Sequence, residues 1–449
     1  MVLPTHHVAS GDPGTVFIKD EGPAAIDLDS PLGDLKLLTP NIVTLGDGSY
    51  RMYYTGMGRG RPTDHAQGYV LSAVSPNADT WTKEDGVRLD VDVHPRSTLR
   101  TVCPDVVALP GGQGWRMYWE GRAPGRSNVI LSATSADGLV FTVEAGVRLE
   151  DPDEQLSYGA PRVVPLPDSR GWRMYPSESR FVSRGNWKPG DSSQSHIVSY
   201  HSADGLRFAR EEGICVGQEF GLEAYGLYAP EVLRLPGGGW RMYYAAWEPA
   251  PEQEQGEGGE QGDFAKVADV YSHATGEVFV RESIKADLSG ATARLYSATS
   301  PDGQAWTKDY DGSAATILLG PGDPSTARGA MDAVHLTEPC IAELPDGRHR
   351  LWYEACDRDG KWRILSATTP AAPARPLGAQ LEMIRDDLEN LPPLPACPGY
   401  TVRSFAPGDE EAWCACFEQW TSGPEQSYAE AGLAVGETVI LLTPPLHHY

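Results

Sequence analysis

A three-residue motif, Arg-Met-Tyr, recurs along the chain and constrains the fold more than any other feature. It stands at Arg51-Met52-Tyr53, Arg116-Met117-Tyr118, Arg173-Met174-Tyr175 and Arg241-Met242-Tyr243, and in degenerate form at Arg350-Leu351-Trp352. Each copy follows a proline-led apolar segment and a Gly/Asp turn, as in Pro40-Asn41-Ile42-Val43-Thr44-Leu45-Gly46-Asp47-Gly48. Each is followed by a Leu-Ser-Ala-like segment, an Asp-Gly pair such as Asp137-Gly138, Asp204-Gly205 or Asp302-Gly303, and an aromatic residue. Self-similarity at about 60 residues means that the fold is built repeat by repeat. The long last interval is explained by an insertion over residues 248–293, opening with a low-complexity Glu/Gly/Gln-rich run.

Within a repeat the pattern reads as four short strands: a proline-led strand, the Arg-Met-Tyr strand, the Leu-Ser-Ala strand, and a last strand exemplified by Val87-Arg88-Leu89 and Val147-Arg148-Leu149. Short strands at regular spacing with Gly/Pro turns indicate an all-β array, and four strands per repeat fit a propeller blade. The Asp-Gly pairs supply the positive φ that a tight hairpin requires. The fifth repeat stops after Ser366-Ala367-Thr368. Its missing strand is expected at Val16-Phe17-Ile18-Lys19, so that the N-terminal strand closes the last blade and hides both edges. The reading is therefore an all-β, five-bladed β-propeller over residues 1–376. Beyond the Pro/Ala-rich stretch, a short α/β extension is expected over residues 377–449.

Composition narrows the function. With 40% hydrophobic and 22% charged residues the chain is ordinary for a soluble protein, and its apolar runs are strand-length. No basic-then-apolar leader opens the sequence, so a cytoplasmic location is the expectation. A formal charge of −25 argues against nucleic acid and anionic membranes as partners, because phosphate binding needs clustered Lys and Arg. The seven cysteines show no zinc-type pairing and are expected to be reduced thiols. Phosphate-binding loops, nucleophile elbows and His-Glu-x-x-His helices are all missing from the sequence, which removes nucleotide-driven, serine-hydrolase and zinc-protease readings; no metal ligand and no cofactor is assigned, and an ion bound in the channel is left open.

In a propeller the leading ends of the innermost strands rim a central channel. Those ends read Leu38-Thr39-Pro40-Asn41, Cys103-Pro104-Asp105, Tyr158-Gly159-Ala160-Pro161-Arg162, Tyr228-Ala229-Pro230-Glu231 and Thr337-Glu338-Pro339-Cys340. Asp105, Glu231 and Glu338 are the candidate catalytic carboxylates. His335, Tyr228, Tyr158, Arg162, Trp119 and Glu120 are the candidate substrate contacts, since aromatic faces flanked by carboxylates and Arg suit a sugar ring. Glu120, Glu178 and Glu354, near the ends of the second strands, are expected either to form a ring of carboxylates near the channel mouth or to pair structurally with Arg in each repeat. The repeated arginine is expected to pair between blades.

The blade pattern and the Ala-Pro-Glu and Cys-Pro-Asp strand starts resemble the five-bladed glycoside hydrolases of the clan of families 43 and 32. That resemblance implies a base or nucleophile, an acid and a third orienting carboxylate, because the leaving oxygen must be protonated while a nucleophile approaches the opposite face. The chain departs from the pattern at Thr39 and Ala160, where the hydrolases place aspartates, and at Glu231, which follows its proline instead of preceding it. The expected function is thus a carbohydrate-active enzyme, a glycoside hydrolase taking a small glycoside or related metabolite. Two alternatives stand beside it: a non-catalytic sugar-binding propeller, and one recruited to isomerase, lyase or cyclase chemistry. In the C-terminal extension, Met383 to Leu388, Gly399 to Phe405 and Pro407 to Trp413 resemble the truncated start of a GNAT N-acetyltransferase.

Overall fold

The computed structural model describes residues 11–58, 68–123, 125–167, 170–180, 195–218, 226–236, 238–249, 291–311, 314–370, 401–404 and 440–443. Two compact bodies divide the chain, Met1–Pro370 and Ala371–Tyr449. In the second, Thr401–Ser404 pairs antiparallel with Ile440–Thr443. The other C-terminal expectations, and the insertion between residues 250 and 290, lie outside the described residues.

The first body is mostly β, with few helical residues. Five antiparallel repeats follow one another. Repeat 1 comprises Lys36–Thr44, Tyr50–Met57, Tyr69–Ser75 and Thr82–Lys83. Repeat 2 comprises Arg100–Ala108, Trp115–Arg122, Val129–Ser135 and Thr142–Val143. In repeat 3, Leu156–Pro165 and Trp172–Arg180 precede a third strand broken into Ser195–Ile197 and Tyr200–Ser202, and Ala209–Arg210 ends the repeat. Repeat 4 holds Gly226–Arg234, Trp240–Pro249, Ala291–Ser300 and Thr307–Lys308. Repeat 5 holds His335–Glu343, His349–Cys356 and Trp362–Thr368. Its outer partner is Ile18–Lys19, which pairs with Thr368 and Ala367.

The fourth strands differ from the sequence expectation. They begin directly after the turn, at Thr82 and Thr142, whereas Leu89 and Leu149 make only single bridges to Val70 and Ile130. Gly86 and Gly146, at φ 84° and 82°, bend the chain between the two pieces.

The first strands of successive repeats pack against one another, and that of repeat 5 packs against that of repeat 1, so the five form a cycle. Buried aromatic residues of the motif strands, among them Tyr53, Tyr118, Tyr175, Tyr243 and Trp352, fill the spaces between sheets. The tyrosine hydroxyls reach the following repeat: Tyr53 donates to the Gly138 carbonyl at 2.8 Å, Tyr118 to Gly205 at 2.8 Å and Tyr175 to Gly303 at 2.7 Å. Tyr243 donates to Gly14 at 2.8 Å. The segment Asp12-Pro13-Gly14 therefore takes, in repeat 5, the place of the Asp-Gly turn of the other repeats.

The motif arginines bind less between repeats than expected. Arg51 pairs with Glu84 of its own repeat through two contacts of 2.9 and 3.0 Å, and Arg116 pairs with Glu144 at 2.8 and 3.0 Å. What crosses to the next repeat is a hydrogen bond, from Arg51 to the Asp137 carbonyl at 3.1 Å and from Arg116 to that of Asp204 at 3.1 Å. Arg241 and Arg350 are the exceptions: Arg241 pairs with Asp309 of its own repeat and with Asp12 of the N-terminal segment, and Arg350 pairs with Asp20 of that segment and, as expected between blades, with Asp79 of repeat 1 at 2.8 Å.

Candidate active site

The five Xaa-Pro pairs at the strand starts do the same thing in every repeat. Thr39, Cys103, Ala160, Ala229 and Glu338, each preceding its proline, have φ of 57°, 55°, 42°, 52° and 49°. For residues with a Cβ this left-handed conformation is costly, and it persists only where surrounding contacts fix it. At each pair the register with the second strand slips, for example between Val102 and Asp105 and between Thr337 and Cys340. The bulge is thereby pushed toward the axis of the cycle. The five pairs, with Arg162, line one narrow cavity of about 10 Å³, room for little more than a single water.

Two tiers of hydrogen bonds fix these bulges. In the first, a side chain four residues after the motif arginine accepts the bulge N–H of the next repeat. Thr55 accepts from Cys103 at 3.2 Å, Glu120 from Ala160 at 3.2 Å, Ser177 from Ala229 at 3.0 Å and Glu354 from Thr39 at 2.9 Å. In repeat 4 the same position is Ala245, which has no acceptor to offer Glu338.

The second tier uses the residue after each proline. Asn41 accepts from Val106 N–H at 3.0 Å, Asp105 from Val163 at 2.6 Å, Glu231 from Ile341 at 3.4 Å, and the Cys340 sulfur from Ile42 at 3.2 Å. Arg162 cannot accept; it donates to the Pro230 carbonyl at 3.3 Å and lies between Asp105 and Glu231, at 2.7 Å from each. Asn41 also donates to Asp105 at 3.0 Å. Both carboxylates are fully buried. Burial raises the Asp105 carboxyl above its ordinary value despite Arg162. The same cause lifts Glu231 to about 7, against Arg162 and with a further push from Asp105. Of the three carboxylates grouped by sequence, Asp105 and Glu231 thus share one arginine in this belt, while Glu338 stands apart on the cavity wall.

Glu338 is half-buried and makes no ion pair with the described residues. Burial, with repulsion from Glu354 and Glu120, pushes its carboxyl well above the usual range, outweighing the attraction of Arg122 and Arg162. Its Oε1 lies 3.8 Å from the Cys103 sulfur, and Glu120 Oε2 lies 3.5 Å from the same sulfur. Both carboxylates thus contact the same sulfur, which brings the two side chains close together. Glu120 is fully buried and takes hydrogen bonds from Tyr228 at 2.7 Å, Asn128 at 2.9 Å and Ala160 N–H, and an ion pair from Arg122 at 2.5 Å. The Cys103 thiol is pushed up by burial, Glu338 and Glu120, so it stays protonated.

The remaining candidates sit elsewhere. Trp119, one residue before Glu120, points to the opposite face and is buried in an apolar cluster with Val106, Met117 and Leu131. Tyr158 is buried edge-on against Tyr200, ring centres 6.0 Å apart. His335 is fully buried, stacked on Trp362 at 5.4 Å and tilted against Trp247 at 4.8 Å. The expected carboxylate ring is corrected: Glu120 and Glu354 face the axis, but Glu178 stands one residue later than their equivalent, Ser177. It turns toward Tyr200 and Arg210 instead. Cys103, Thr55, Arg122 and Asn128 were not singled out by sequence, although counting four residues from each motif arginine would have found Thr55.

No group of His, Cys, Asp and Glu able to hold a metal occurs among the described residues. No described helix is long and apolar enough to cross a membrane. Cys103, Cys215, Cys340 and Cys356 are free and buried.

The fold is similar to that of solved β-propeller glycoside hydrolases. A solved structure described as a glycoside hydrolase matches at 15% identity, TM-score 0.53, over 79% of this chain and 93% of that one. A thermostable family-43 glycoside hydrolase matches at 14% identity, TM-score 0.52, over 75% and 91%. A structure from a study of GH130 mannoside phosphorylases and hydrolases targeting β-1,2 mannosidic linkages matches at 11% identity, TM-score 0.54, over 82% and 98%. No family model and no curated protein matches the sequence. None of these findings supports the resemblance of the C-terminal extension to a GNAT acetyltransferase.

Proposed function

We propose that this chain is a carbohydrate-active enzyme of glycoside-hydrolase type, built on one closed five-bladed propeller whose last blade is completed from the N-terminus. It acts on a small or terminal glycoside at the axial cavity. The observation that carries this reading is the meeting of Glu338 and Glu120 at the Cys103 sulfur, beside a cavity open to solvent. Glu338, held protonated by its surroundings, is the acid that gives its proton to the leaving glycosidic oxygen. Glu120 is the opposing carboxylate, oriented by Arg122 and Asn128. Asp105 and Glu231 act at one remove by holding Arg162, which lines the cavity.

The test is turnover of a panel of 4-nitrophenyl and alkyl glycosides by the wild type and by Glu338→Gln. The variant should lose activity by about 10² or more, and lose more on alkyl than on aryl leaving groups, which need protonation less. Absence of turnover on every glycoside, or an unaffected variant, overturns the proposal.

One observation favours a second reading, a sugar-binding propeller without catalysis. Glu338 is the sole acid among the five bulge residues, and Glu120 already takes contacts from five donors. That reading gives glycan binding without turnover.

A further inference from the structure

Tyr228 belongs to the first strand of repeat 4, yet its hydroxyl donates to Glu120 of repeat 2 at 2.7 Å. To do so it crosses repeat 3 altogether. The crossing point is Gly159: a Cβ there would stand 2.9 Å from the Tyr228 ring, 3.1 Å from its hydroxyl and 2.7 Å from Glu120 Oε2. The positions equivalent to Gly159 in the other repeats are Leu38, Val102, Tyr228 itself and Thr337, all with side chains that would block the passage. Beneath the ring lie Val102, Cys103, Ala160 and Ala229, an apolar floor formed by three repeats. Cys103 is 5% exposed, its sulfur 3.5 Å from the Tyr228 hydroxyl. Glu120, at the far end, has no exposed surface at all.

We infer that Tyr228 is a specificity-determining crossbar: it roofs the side of the cavity over repeats 2 and 3, covers Glu120 and Cys103, and limits the size of the group that can enter beside Glu338. A ligand small enough to lie on the Glu338 side enters with the bar in place. A larger one must displace the Tyr228 hydroxyl from Glu120, replacing it with a hydroxyl of its own. The inference concerns the proposed sugar site, and rests on that reading only in taking the excluded ligand to be a glycan.

Cys103 reports the crossbar without any need for turnover. The full-length protein would be treated with a small methanethiosulfonate and with a bulky maleimide conjugate, and modification of the Cys103 peptide followed by mass spectrometry. In the wild type, Cys103 should react slowly and favour the small reagent. Tyr228→Ala should raise the bulky-reagent rate by at least about tenfold and abolish the size preference, as local opening exposes a covered group. Tyr228→Phe, which keeps the ring and loses the tether to Glu120, should fall between. Gly159→Ala leaves Tyr228 intact but takes away its seat, and should reproduce the Tyr228→Ala result. Continued protection of the Cys215, Cys340 and Cys356 peptides shows that a variant is folded; if Tyr228→Ala fails that check, Gly159→Ala decides. Equal bulky-reagent rates in wild type and folded variants overturn the crossbar, whether or not any glycoside is hydrolysed.

Discussion

Arg162, in the first strand of repeat 3, donates through Nη1 to Asp105 of repeat 2 at 2.7 Å, with Asp105 fully buried and Arg162 nearly so. The same guanidinium holds Glu231 of repeat 4, so one cation joins three neighbouring strands around the axis. Removing it as Arg162→Met leaves two buried carboxylates uncompensated. The expected loss is about 3–5 kcal/mol of stability in urea unfolding. Adding Glu231→Gln to that variant should recover part of the loss.

The belt also sets a pH dependence. Glu231 sits at about 7 against an ordinary 4.5, so the folded form holds a proton that the unfolded chain releases earlier. The stability this contributes is full below the ordinary value and is lost as pH rises through about 7. Asp105 shifts in the same direction. Urea midpoints measured from pH 5 to 8 should fall more steeply for the wild type than for Glu231→Gln; parallel curves would refute the assignment.

The N-terminal segment is structural in repeat 5. Asp12 pairs with Arg241, Lys19 with Asp332 at 2.8 Å, and Asp20 with Arg350 at 3.1 Å, in addition to the strand pairing of Ile18 and Lys19. Deleting residues 1–20 exposes the edge of Trp362–Thr368. Thermal unfolding of the truncated protein should show a loss on the order of 3 kcal/mol and an increased tendency to aggregate. A synthetic peptide of residues 11–26 added in trans should reverse both.

Ala245 leaves the Glu338 bulge without the latch that the other four have. Ala245→Ser supplies the acceptor and should raise stability by about 1 kcal/mol in denaturant titrations. No gain, or a loss from crowding against Leu336 and Leu295, would show that the fourth position is tuned for packing instead.

Much of this molecule is written in local pattern. The motif spacing, the Asp-Gly turns and the proline-led starts define five repeats, because hairpin register and turn chemistry act over a few residues. The identity of the bulge residues, Thr39, Cys103, Ala160, Ala229 and Glu338, can likewise be read by alignment of the repeats. Tertiary structure alone decides which way their neighbours point. The register slip at each Xaa-Pro pair sends Asp105 and Glu231 into the inter-repeat belt and leaves Glu338 on the cavity wall. Glu120 meets Tyr228, 108 positions away, only because closing the cycle brings repeats 2 and 4 to the same axis. Strand alternation is a property of sequence; convergence on an axis is a property of the assembled ring, and the candidate chemistry depends on the second.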